Sequence, residues 1–159
     1  MSAGIGLISK AIEIIYKKMM AFQVVYERLF DSYYVKLQES YFSESNAIGK
    51  WELIGYKGPG SAATGSTSAA PKTQTTSFKY EQDGTYSNDG GTIAMSNGSL
   101  SETTVWKASN LIKLNECDAN KEWAVKATVS SSVVSFSAKV PSGDAGCKTL
   151  TPSFENIGR

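Results

Sequence analysis

Histidine is absent from the 159 residues. That removes the commonest general base, the usual partner of a serine nucleophile and the commonest metal ligand together. A dominant charge is lacking too: 16 Lys and Arg face 15 Asp and Glu, a net +1. No long-range field draws such a chain to nucleic acid or to an acidic membrane. Proline first occurs at Pro59, and before Gly49 the only glycines are Gly4 and Gly6, so nothing in the first stretch breaks a helix. Long uncharged apolar runs are missing. The longest, Met19 to Tyr26, contains Gln23 and falls well short of the ~20 residues of a membrane span. A signal peptide is not expected either, since no basic start precedes a compact apolar core and a small-residue cleavage site. There are only two cysteines, Cys117 and Cys147. No further ligand completes a metal site around them, and the Ser-, Thr-, Gly- and Asn-rich surroundings favour one disulfide over two buried thiols. Such a bridge stabilises a fold by about 3–4 kcal/mol in the chain-entropy model and points to an oxidising compartment.

What is present begins with a stripe. Ile5, Ile8, Ile12, Ile15, Met19, Phe22, Tyr26, Leu29 and Tyr33 alternate spacings of three and four, the signature of one helix face. The spacing predicts a single helix from about residue 4 to 46, roughly 60 Å long at ~1.5 Å per residue. The residues after 46 would form a globule with a radius of gyration of only about 13 Å. Part of such a helix must project. Its N-terminal part, through Ile5, Ile8, Ile12, Ile15, Met19 and Phe22, is expected to pack on neighbouring helices. Its C-terminal part, through Leu29, Tyr33, Leu37 and Tyr41, is expected to lie on a sheet of its own chain.

The helix should stop near Asn46 to Gly49. Trp51 to Tyr56 is expected to be a short extended segment, and residues 60–75 a low-complexity loop of Ser, Ala, Thr and Gly. From Phe78 the period becomes two, with turns at Asp83-Gly84, Asn88 to Gly91 and Asn97-Gly98. Thr92–Met95, Thr103–Lys107 and Asn110–Leu114 are strand candidates. The clearest hairpin joins Glu122–Val129 to Ser132–Val140. Trp123, Val125, Ala127 and Val129 point one way, and Val134, Phe136, Ala138 and Val140 answer them. The expected organisation is a spine helix over 1–46 and a globular antiparallel sheet domain over 47–159. The fold class is α+β, with a long N-terminal helix packed in its C-terminal half on the sheet and a disulfide near the C-terminus.

Catalytic constellations are weak. Glu81 with Asp83 and Glu116 with Asp118 sit near turns, where carboxylates are usually solvated. Asp83-Gly84 and Asn88-Asp89-Gly90 lack the spacing of a calcium loop. No serine has a supporting base in a nucleophile-elbow pattern. Trp51, Trp106, Trp123 and Tyr86 are either core or a strip for stacking on sugar rings. Asn97-Gly98-Ser99 is a glycosylation sequon, informative only in a host that reads it. An enzyme, a metal and a cofactor are not expected.

Several stretches in order resemble the type IV pilin and pseudopilin family over residues 32–157. They are Tyr34 to Tyr41, Ile48-Gly49-Lys50-Trp51 through Ile54-Gly55-Tyr56-Lys57-Gly58-Pro59-Gly60-Ser61, Phe78-Lys79-Tyr80, Trp106-Lys107-Ala108, Leu114 to Cys117, and Cys147 to Phe154. The resemblance implies a filament subunit outside a bacterial cell, drawn from a membrane pool. Its helix would pack with copies of itself or other pilin-like subunits, and its sheet domain would face outward. The family's start, a Phe, a nearly uncharged apolar run and a Glu at the fifth mature position, has no counterpart in residues 1–24, so no such glutamate is carried over. A pseudopilin of type II secretion and a secreted β-rich carbohydrate-binding or adhesion module on a helical stalk are the alternatives.

Overall fold

A computed structural model describes residues 10–12, 14, 15 and 32–159. Among them the dominant element is a six-stranded antiparallel sheet in simple order: β1 Ser61–Ala62, β2 Lys72–Gln74, β3 Phe78–Gln82, β4 Leu100–Asn110, β5 Glu122–Ser130 and β6 Val133–Lys139. The helices are α1 over residues 32–45, α2 Trp51–Ile54 and α3 Ala145–Leu150, with a 3-10 turn at Phe154–Asn156.

This corrects the expected architecture. One helix over 4–46 was to be the main element, but among the described residues only α1 reaches seven residues or more. Much of the expected spine lies outside the described residues. The physical reason for the correction is that apolar period identifies a helix face but not the helix's share of the fold. The sheet is larger than its turn signals suggested. Leu100–Asn110 runs as one strand, and the 60–75 loop contributes β1 and β2. Cover for the apolar face is then divided among α1, α2 and the C-terminal turns.

Alternation builds the central hairpin. Trp123, Val125, Ala127 and Val129 of β5 are buried, and Phe136 and Ala138 of β6 lie opposite Ala127 and Val125. Ser131 and Ser132, both at positive φ (51° and 62°), make the two-residue turn. Paired positive φ angles suit the twist of the flanking strands. In β4 the register shifts between Thr104 and Trp106, so the adjacent residues Val105 and Trp106 are both buried. A bulge of this kind re-aims one side chain.

Helix α1 seals the inner face through Tyr34, Val35, Gln38 and Phe42. The spacing is one, three and four, one side of a helix. Gln38 is the polar centre. Its Nε2 donates to the Tyr34 hydroxyl at 2.9 Å and to the Gly49 carbonyl at 2.7 Å, and the Gly49 N–H donates to its Oε1 at 3.2 Å. The Tyr34 hydroxyl donates in turn to the Val105 carbonyl of β4 at 3.3 Å. One buried amide thus ties the helix to the chain that leaves it and, through Tyr34, to the sheet. Gly49 is tightly enclosed: an added Cβ would lie 3.0 Å from the Tyr41 ring, which would have to shift by a few tenths of an ångström.

The Trp51–Tyr56 segment, expected to be extended, is instead a single helical turn. Gly55 takes the left-handed conformation (φ 73°) that ends it, and Trp51 and Ile54 are buried three residues apart. Tyr56 then packs edge-on to both Trp51 and Tyr34, with ring centroids 4.8 and 5.1 Å apart. Its hydroxyl accepts the Trp106 indole N–H at 3.1 Å.

Replacing Gln38 by Leu strands the Gly49 amide and carbonyl away from water. We expect a loss of about 2–4 kcal/mol in urea unfolding, whereas Tyr33→Ala, at a half-exposed position, costs under about 1 kcal/mol.

Candidate interaction surfaces

Two further regions carry polar chemistry. The first is the C-terminal segment. Cys117 and Cys147 form the expected disulfide, with Cα atoms 4.5 Å apart. Cys117 closes a tight turn in which Leu114 and Cys117 exchange both backbone hydrogen bonds, and Asn115 sits at φ 52°. Asn110 braces that loop from the end of β4. Its Nδ2 donates to the carbonyls of Asp118 (2.7 Å) and Ile112 (3.0 Å), and its Oδ1 accepts the Lys121 N–H at 2.8 Å. On the other side Asp144 caps α3 by accepting the Cys147 N–H at 3.1 Å. The Trp123 indole donates to Thr151 at 2.8 Å. Gly146 lies against the Glu116 carbonyl, where a Cβ would clash at 2.4 Å.

The second region is the outer face of the sheet. Register places Lys72, Glu81, Lys107, Ala124 and Lys139 on one continuous rung across β2 to β6. Glu81 is its hub, with the amines of Lys79, Lys72 and Lys107 at 3.2, 3.5 and 3.8 Å. Partial burial pushes the Glu81 carboxyl up, but the Lys79 hydrogen bond and the surrounding amines outweigh it and hold the group below the usual carboxylate range. Lys107 also reaches Asp83 and Glu122, at 3.7 and 3.9 Å.

The other groups with displaced ionisation are structural. Burial raises the Tyr34 and Tyr86 hydroxyls above the usual phenol range, and both stay neutral at ordinary pH. Among the described residues no group of three His, Cys, Asp or Glu is placed to hold a metal, and no helix is long and apolar enough to cross a membrane.

Ile5, Ile8, Met19, Phe22 and Leu29 lie outside the described residues. Ile12 and Ile15 are in helical conformation and 61% and 58% exposed. Ile14, which the stripe did not include, is 51% exposed. Tyr33 is 50% exposed, while Leu37 and Tyr41 are half-buried and pack on the edge of the core. The stripe through Tyr33 therefore flanks the buried line through Tyr34, Gln38 and Phe42. Sequence reasoning passed over Gln38, because a glutamine inside an amphipathic helix reads as surface. Its placement four residues after Tyr34 and four before Phe42 was the available signal. Trp51, Trp106 and Trp123 are all core. The lysine rung was missed because its members are far apart in sequence and meet only through strand register.

Compared with protein-family models, with curated proteins and with solved structures, the chain gives no match.

Two outcomes are expected. Cys147→Ser, or reduction of the native protein, lowers unfolding free energy by about 3–4 kcal/mol for a bridge closing this separation of 30 residues. For Glu81, a folded-state pKa below the unfolded one means stability that is present above the unfolded pKa and lost as pH falls through the folded one. Urea midpoints of Glu81→Gln and the parent should therefore differ near neutral pH and converge in acid.

Proposed function

We propose that the chain is a structural subunit of an extracellular filament of the type IV pilus kind, assembling through residues upstream of the sheet domain. The observation that carries this reading is the exposure of Ile12, Ile14 and Ile15 on helical residues. Ile12 and Ile15 lie three residues apart on one face, and each leaves more than half its surface in water. Apolar groups clustered this closely favour burial against another chain. A second copy of the same segment satisfies them and repeats without limit if the contact does not close on itself.

The sheet domain supports the reading by its construction. Its helix is docked by buried groups, its C-terminal segment is stapled, and its polar face is turned outward. Such a unit withstands an exterior position. The order of the Ile-Gly-Tyr segment, the strands and the late cysteines agrees with the resemblance noted above. A sugar-binding module that stacks rings on tryptophan is less well supported, because all three tryptophans are core.

The test is self-association of the full chain, followed by sedimentation and electron microscopy. The parent should form oligomers or filaments, and Ile12→Asp with Ile15→Asp should weaken association about tenfold or more while leaving the unfolding transition of the sheet domain in place. A monomeric parent, or association unchanged by the two substitutions, contradicts the proposal.

A further inference from the structure

The outer face of the sheet continues into a groove of about 950 Å³. The outward residues of β5 and β6 form its floor, and the 140–145 turn with α3 forms a wall. Lys121, Lys126, Lys139 and Lys148 line it. Two of these amines are engaged: Lys121 with Asp144 at 3.5 Å and Lys126 with Glu102 at 3.1 Å. Lys139 and Lys148 form no ion pair among the described residues. Lys139 ends the rung that starts at Lys72, and it lies diagonally across from Lys126, with Cα atoms roughly 7–8 Å apart for such neighbours. Ala124, directly opposite Lys139 and two residues before Lys126 on β5, completes this part of the floor with a small side chain. Glu122 and Glu155 also face the groove, as does the amide of Asn120. Among the described residues no aromatic side chain lines it.

We propose that this groove binds an acidic polysaccharide, a chain of sugars carrying carboxylates at intervals. The mixed lining selects that chemistry. Lys139 and Lys148 offer amines to carboxylates, and the oxygens of Glu122 and Glu155 accept hydrogen bonds from sugar hydroxyls. Nucleic acid fits less well. Its unbroken run of phosphates meets those same carboxylates, and the described lining offers no ring on which a base could stack. A neutral glycan leaves the two free amines unused and finds no aromatic platform. Every lining residue belongs to the sheet domain and none to the segment around Ile12 and Ile15, so the inference stands or falls separately from filament assembly.

The experiment is calorimetric titration of the full chain with an oligogalacturonate at low and moderate salt. Saturable binding that weakens as salt rises is expected. The exposed pair Lys139→Gln with Lys148→Gln should reduce affinity about fivefold or more, and Lys113→Gln, outside the groove, should not. The methyl-esterified oligomer should not bind. The proposal is overturned by no detectable binding, by equal loss in Lys113→Gln, by equal affinity for the ester, or by tighter binding of a single-stranded DNA of matched charge.

Discussion

A sheet with one apolar face exposes that face unless something is laid across it, and here the constraint governs most of the chain. Four strands, β3 to β6, present Phe78, Tyr80, Val105, Trp106, Trp123, Val125 and Phe136 to one side. Helix α1 covers them, but an apolar helix face alone fixes neither rotation nor register. The Gln38 amide does so. It satisfies both polar groups of Gly49 and the Tyr34 hydroxyl at once, and any sliding of the helix breaks several buried hydrogen bonds together. Buried polar groups of this kind are costly when half-satisfied and restrictive when complete.

The far end of the same face depends on a different device. The C-terminal turns place Phe154 and Ile157 on the core. They are too short to hold themselves there. The Cys117–Cys147 bridge, the Asp144 cap and the Trp123–Thr151 hydrogen bond fix them instead. Inner cover is thus anchored by an amide at one end and a covalent staple at the other. The outer face needs no cover and carries lysines and glutamates. Its rung of charges is a by-product of antiparallel register, yet it turns one side of the molecule into a polar surface continuous with the groove.

Sequence made some of this legible and hid the rest for identifiable reasons. Strict alternation in β5 and β6 showed the hairpin and its buried side to within a residue or two. The two cysteines had only one partner each. Tyr33 and Tyr34 shared an apolar run, and periodicity chose the wider stripe, although the residue beside it is the one that docks. The 51–56 segment is too short to show a helical period in sequence, but burial of Trp51 with Ile54 and a left-handed Gly55 make it a turn of helix. The largest departure was in proportion. A long apolar period suggested a fold organised on a helix, whereas the largest element of the described chain is the sheet, because β1, β2 and the full length of β4 carry no strong local signal. The groove was illegible for a further reason: its residues come from β5, β6, the turn and α3, and only the fold brings them together.

The central claim is that α1 and the sheet are one cooperative unit locked through Gln38 and Gly49. Native-state hydrogen exchange tests it most directly. The amides of α1 residues 37–42 and of Gly49 should exchange with the same opening free energy as those in the middle of β4 and β5. Exchange of the α1 amides through a much smaller opening, with the strands still protected, would contradict the account.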